Sequence, residues 1–278
     1  MADKWAIGLM TGMSDSPEES LRRVRDLGIP TVQLSYPAKL DNPEGIEAIK
    51  AAVASTGIEI TTIFCSFPGE AYDDIPTVQR TVGLVPEETR AERTAKIVEI
   101  QAFAEKLGVN RVAAHIGFVP EDHSDPRYPV LVQTMQKICD DGKARGQVVA
   151  LETGQETAAG LRHFIEDVAR DNLTVNFDPA NMILYGNDKP IPAMDILGQW
   201  VDGVHCKDGT WPTEKDKLGH ETPLGEGEVN LEGWIDKLVE IGFTGTLTIE
   251  REISGEEQRK DIIKGKELIE RVLAKHTK

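Results

Sequence analysis

Hydrophobic positions along the chain alternate between two periods. Short apolar runs, of the kind that form strands buried on both faces, are followed by stretches in which apolar residues recur every three or four positions, one face of a helix. The first run, Trp5 to Met10, ends in Thr11-Gly12. Ser16-Pro17-Glu18-Glu19 then opens a helix, with Ser16 as N-cap, Pro17 at the first helical position and an acid at the capping-box position. Leu21, Val24 and Leu27 form its apolar stripe and Gly28 ends it. The figure repeats with strands predicted at Thr31–Tyr36, Ile58–Phe64, Val112–Gly117, Val148–Glu152, Leu173–Asp178, Val201–His205 and Gly245–Glu250. Between them lie helices opened by Asn42-Pro43, striped by Ile97, Ile100, Ala104 and Leu107, or spanning Tyr128–Ala144, Ala158–Ala169 and Ala193–Trp200. Leu231, Trp234, Leu238 and Ile241 mark a seventh helix, and Ile262 to Leu273 the terminal one.

Strict alternation of strand and helix predicts a parallel sheet. Eight such units predict an α/β fold closed into a (β/α)8 TIM barrel, one domain over 1–278. An open doubly wound sheet would want G-x-G-x-x-G after the first strand, and Gly12-Met13-Ser14 does not supply it. Two segments, 68–86 and 207–230, are rich in Pro and Gly and too long for plain strand–helix connections. Loops of that size in a compact domain are expected to carry function.

Charge and cysteine usage narrow the partners. A net charge of −16 repels phosphate backbones, so no nucleic-acid partner is expected. Cys65, Cys139 and Cys206 lie far apart with no C-x-x-C, which predicts a reducing, cytoplasmic setting without disulfides or a thiolate metal site. No stretch reaches the roughly 18 apolar residues of a spanning helix, so no membrane partner is expected.

The chemistry lies at strand ends. Val148-Val149-Ala150-Leu151 runs straight into Glu152, a charge that is costly to bury unless paired or bound to a metal. Asp178, His205 and Glu250 close the next three predicted strands in the same way. In a barrel the strand C-termini form the active face, and neighbouring strands lie about 4.8 Å apart, so four adjacent ends can converge on one ion. Three carboxylates and an imidazole favour Mn²⁺ or Mg²⁺, with Zn²⁺, Co²⁺ or Fe²⁺ also compatible. His115 ends the fourth strand and faces the same mouth. Glu156 lies one helical turn beyond Glu152, where it could orient a ligand or cap the next helix. Lys207 and Arg251 closely follow the last two strand-end residues, where they could meet a carboxylate or phosphate group or form surface salt bridges. Tyr36, Phe67 and Trp211 are candidate ligand-stacking residues, with simple packing as the alternative for each.

Glu152 in Leu-Glu-Thr-Gly, Asp178 in Phe-Asp-Pro-Ala-Asn, His205 in Val-His-Cys-Lys-Asp and Glu250 in Ile-Glu-Arg resemble the xylose isomerase-like TIM barrels, the sugar phosphate isomerase/epimerase group. The resemblance covers essentially the whole chain and includes Pro223-Leu224-Gly225-Glu226-Gly227 before the seventh helix. It implies that the four residues hold one divalent metal, as in the ketose 3-epimerases, and that Glu152 and Glu250 double as an acid/base pair. It also implies a carbohydrate substrate and a homo-oligomer, dimer or tetramer. Asn181 stands where many relatives carry a substrate-touching histidine, so the pocket is not a copy of theirs; it can bond sugar or cap a turn. A related zinc-dependent apurinic DNA endonuclease with three metals uses many more strand-end histidines than this chain has. The expected activity is a metal-dependent sugar isomerase or epimerase working through an enediolate. A lyase or dehydratase acting on a keto-cyclitol or keto-glycoside is the alternative, and a non-catalytic sugar-binding barrel a further one.

Overall fold

Each apolar run pairs in parallel with its neighbours, because a strand buried on both faces can satisfy its backbone only through flanking strands. In the computed structural model, which describes residues 5–276, the barrel strands are β1 (Ile7–Thr11), β2 (Thr31–Ser35), β3 (Glu59–Phe64), β4 (Arg111–Ala114), β5 (Val148–Glu152), β6 (Leu173–Phe177), β7 (Val201–Cys206) and, last, β10 (Leu247–Ile249). They close in the order β1-β10-β7-β6-β5-β4-β3-β2, a (β/α)8 TIM barrel. Glu152 pairs with Asn176, Asn176 with Gly203, and Thr248 with His205, so the C-terminal ends of β5, β6, β7 and β10 share one rim.

The helices are α1 (Pro17–Asp26), α2 (Pro43–Thr56), α3 (Ile75–Thr81), α4 (Glu87–Leu107), α5 (Arg127–Ala144), α6 (Ala158–Val168), α7 (Pro179–Leu184), α8 (Pro190–Leu197), α9 (Leu231–Glu240) and α10 (Glu256–Leu273). Helix α2 follows its sequence signals: the Asn42 side chain accepts from Gly45 N–H, Pro43 opens the first turn and Gly57 ends it in the left-handed region. Ser16 does stand before α1, but its side chain makes no capping bond, so the expected capping box does not form. The ring of helices buries its apolar stripes on the barrel. Trp234, Phe103, Phe164 and Phe177 are fully covered, each stabilising by roughly 1.5–3 kcal/mol relative to exposure.

The long loops are more ordered than their composition suggested. The 68–86 segment contains α3, capped by Asp74, whose side chain accepts from Thr77 N–H at 2.9 Å. A buried pair fastens this segment to α4. Glu70 accepts from Phe67 N–H (3.2 Å) and Gly83 N–H (2.8 Å), while Arg93 of α4 donates to the Gly83 carbonyl (2.7 Å) and lies 3.8 Å from Glu70. Gly83 has φ +73°, and a Cβ there would lie 2.1 Å from the Ile116 carbonyl carbon, so only glycine permits the close approach. The 207–230 segment holds an antiparallel pair, β8 (Asp208–Thr210) with β9 (His220–Thr222). The buried Asp208 carboxylate gathers the rest by accepting from the N–H groups of Gly209 (2.9 Å), Gly225 (2.9 Å) and Val229 (3.1 Å).

Candidate functional site

Four side chains converge on the rim. Glu152 is the last residue of β5, Asp178 follows β6, His205 is the penultimate residue of β7 and Glu250 follows β10. One ligand-type atom from each lies within 4.8 Å of the others. His205 Nδ1 is 2.6 Å from Glu152 Oε1, 3.2 Å from Glu250 Oε2 and 3.4 Å from Asp178 Oδ2. Yet Glu152 Oε1, Asp178 Oδ2 and His205 Nδ1 are buried with no hydrogen-bond partner. Atoms paired at ion-pair distance without the angles of ordinary hydrogen bonds, where buried polar groups normally have them, have the arrangement of side chains facing a common centre. The oxygen-rich donor set suits a hard divalent ion, and these four residues can hold one.

Three of the converging side chains have a second atom tied down elsewhere, while Glu250 presents to His205 the same Oε2 that accepts from Lys207. Asp178 Oδ1 accepts from Asn181 N–H at 2.9 Å and so caps α7, leaving Oδ2 free to face the centre. The signal was Asp-Pro-Ala-Asn, a cap followed by proline at the first helical position, but the sequence reading had placed no helix there. Glu152 Oε2 is paired with His115 Nε2. His205 Nε2 is 3.0 Å from the oxygen of Gln33, whose amide nitrogen donates to Asn176 Oδ1 at 3.0 Å. That orientation makes Gln33 an acceptor for Nε2–H and leaves the Nδ1 lone pair for an ion, the usual way an outer partner fixes a ligand's tautomer. Gln33 was not legible in the sequence, because polar and apolar residues alternate in Thr31-Val32-Gln33-Leu34-Ser35 and only the structure shows the glutamine buried.

Electrostatics among the protein groups alone run strongly. Burial opposes a charge on His205, but the Glu250 and Glu152 carboxylates outweigh it and hold the imidazole well above its ordinary pKa. Burial likewise works against Glu152, and the neighbouring His115 and His205 charges overcome it, bringing the carboxyl down to about 2. His115 is pushed up to about 9, burial being outweighed by Glu152. Burial dominates at Glu156, raising it to about 8.

The remaining predicted site residues divide. His115 and Asn181 line a cavity of about 560 Å³ that also reaches Glu152 and Glu250. Lys207 is fully buried beneath it, donating to Asn181 Oδ1 (3.1 Å), Glu250 Oε2 (3.1 Å) and Glu252 Oε1 (2.7 Å). Glu156 is buried behind the rim, with neither carboxylate oxygen bonded. Arg251 does not reach the cavity wall; it bonds Glu221 (2.8 Å) and Asp261 (2.9 Å), the salt-bridge alternative. Trp211 is not on the wall either and packs against the core. Tyr36 turns away to Phe103 and Asp41, whereas Phe67 does line the cavity. The wall also includes Phe64, Tyr72, Tyr185 and Leu218, which the sequence did not single out because only folding brings these distant segments together.

Among the described residues no helix is long and apolar enough to cross a membrane. Comparison with known proteins places the chain. It is similar to a xylose isomerase domain protein from Planctomyces limnophilus, at 44% identity over 98% of each chain and a TM-score of 0.93. It shares its fold with a 3-keto-D-glucoside 4-epimerase from Escherichia coli (17% identity, 96% of this chain and 99% of that one, TM-score 0.73). It shares it also with a xylose isomerase-like TIM barrel protein from Mycobacterium smegmatis in complex with magnesium (19% identity, 98% and 97%, TM-score 0.72). The chain spans about half the length of the curated relatives it matches. A family model described as xylose isomerase-like TIM barrel matches residues 21–272, and the chain belongs to that family.

Proposed function

We propose that this protein is a divalent-metal-dependent sugar isomerase or epimerase, using Mn²⁺ or Mg²⁺, that moves a proton at the carbon beside a carbonyl through an enediolate. The observation that carries this is the convergence of Glu152, Asp178, His205 and Glu250, three of them with an unbonded buried atom, at a cavity large enough for a sugar. A bound divalent ion would polarise the substrate carbonyl and make the adjacent C–H acidic. Glu152 and Glu250 both line the cavity and come from strands on either side of β6 and β7, so each can reach a different part of a bound ring. One carboxylate takes the proton. If the other returns it to the opposite face the product is an epimer, and if it returns to the next carbon the product is the isomeric aldose or ketose. His115 holds Glu152 ionised and oriented, and Lys207 does the same for Glu250. The magnesium-bound and epimerase neighbours agree with this reading at the level of fold.

Elimination is the second reading, since loss of a β-hydroxyl would begin from the same proton abstraction beside the carbonyl.

The test is isotope exchange. The Mn²⁺-loaded protein is incubated with a panel of keto-sugars in heavy water and deuterium is followed beside the carbonyl. Wild type should exchange, and Glu152→Gln should be slower by 10²-fold or more. Equal behaviour of the two proteins, with no exchange on any sugar, would rule the mechanism out. Loss of a β-hydroxyl in place of exchange would select elimination.

A further inference from the structure

The cavity above the four convergent side chains carries charge of one sign. Glu70, Glu152, Glu221, Glu250 and Glu252 line it, and among the described residues no lysine or arginine does. The nearby cations are already engaged. Lys207 bonds Glu250 and Glu252, Arg251 bonds Glu221 and Asp261, and Arg93 lies against Glu70 and the Gly83 carbonyl. His115 is paired with Glu152. Much of the remaining wall is apolar: Phe64, Phe67, Tyr72, Leu184, Tyr185 and Leu218. Tyr72 is 43% exposed, one of two exposed large hydrophobic residues among those described, and its ring centre lies 6.4 Å from that of His115. An aromatic face left open to water beside a polar centre is a surface awaiting a ligand.

We propose that the substrate is an uncharged keto-sugar bearing an apolar substituent, a glycoside with an aryl or alkyl group, and not a sugar phosphate or sugar acid. This rests on the proton-transfer reading of the same site. A phosphate or carboxylate entering the cavity would meet five glutamates and no free cationic side chain, and a buried charge without a partner is costly. Glu152, Asp178 and Glu250 together carry more charge than a divalent ion, so the ion leaves no surplus attraction for a second anion. A bare sugar ring would leave the Tyr72 face wet, whereas an aryl group on the ring covers it. About 560 Å³ lies within the range of roughly 300–1,000 Å³ that encloses ligands larger than one ring.

The experiment uses the Mn²⁺-loaded protein and four probes on one hexopyranose scaffold whose ketone lies on a ring carbon other than the anomeric one: methyl glycoside, phenyl glycoside, and the 6-phosphate and the uronate of the methyl glycoside. Dissociation constants come from calorimetry, and exchange beside the carbonyl from NMR in heavy water. The phenyl glycoside should bind at least tenfold more tightly than the methyl glycoside, and the two anionic probes at least tenfold more weakly. Tyr72→Ala should pull the phenyl-to-methyl ratio toward one, and Glu252→Lys should improve phosphate binding at least tenfold. An anionic probe that binds as well as the neutral ones, no gain from the phenyl group, or no binding by any probe overturns the proposal. The two readings part cleanly. Neutral glycosides that bind selectively without exchange would sink proton transfer and leave the substrate class standing. Best binding and exchange with the phosphate would do the reverse.

Discussion

A buried imidazole, a buried glutamine and three buried carboxylates would destabilise a barrel if each stood alone; here each completes another. Gln33 fixes the His205 tautomer from inside the barrel, so Gln33→Leu should keep the fold and weaken Mn²⁺ binding by about 10–100-fold, as losses of such outer partners do. Titration against a metal indicator, with circular dichroism as the folding control, checks it; unchanged affinity would mean that the tautomer is set elsewhere. Glu156 offers a pH test. Its folded pKa of about 8 lies above the ordinary glutamate value of 4.5, so its contribution to stability is fully present below the lower value and lost as pH rises through the upper one. The loss amounts to about 5 kcal/mol at most. Glu156→Gln escapes it, so the melting temperature of the variant relative to wild type should rise between pH 5 and pH 9. A constant difference would show that Glu156 is ionised when folded. At this scale Glu152, Asp178, His205 and Glu250 were readable in the sequence because a polar residue ending an apolar run is locally anomalous. Their partners were not. Lys207 was noticed as a neighbour of His205, but its burial against Glu250 and Glu252 depends on strands and loops that meet only after closure.

The elements that shape the cavity are the two long connections. Both were recognisable as interruptions of the strand–helix rhythm, and neither could be assigned internal structure from its turn-rich composition. Helix α3 is short, with a single fully buried apolar residue, Val78, too little for an apolar stripe to show. The pair β8/β9 is three residues a side, and such a pair gains stability only from what it packs against. The Glu70–Arg93 pair holds the first connection against α4 at 9% and 5% side-chain exposure. Arg93→Met would leave Glu70 buried without its cation, an uncompensated charge costing about 3–5 kcal/mol. Urea denaturation should show that loss, and a change within about 0.5 kcal/mol would mean that the 68–86 segment is held by its backbone contacts alone. Of the two helix starts the sequence marked with a capping residue before proline, Asn42 caps α2, whereas Ser16 has the right position but its side chain is not turned onto the helix N-terminus.

For the whole molecule, a divalent ion that binds only the folded rim must stabilise the fold by mass action. At a hundredfold excess over its dissociation constant the gain is about 2.7 kcal/mol, enough to raise the melting temperature by roughly 5 °C in a chain of this size. Calorimetric melts of chelator-stripped protein with and without Mn²⁺ check this, and superimposable melts would argue against a resident ion. The barrel itself was determined by the sequence, because alternation of apolar runs and amphipathic stripes is a local property and parallel pairing with right-handed crossovers leaves few ways to bury eight such units. The four convergent residues followed from it, since a strand's last residue sits on the barrel's active rim wherever the strand stands in the order. Tertiary structure alone decided the rest: which atom of each convergent side chain faces the centre, which cations are already engaged, and which aromatic rings form the wall. Those depend on distances between residues far apart in the chain, such as Gln33 and His205 or Tyr72 and His115, and no local pattern of polar and apolar positions encodes such distances.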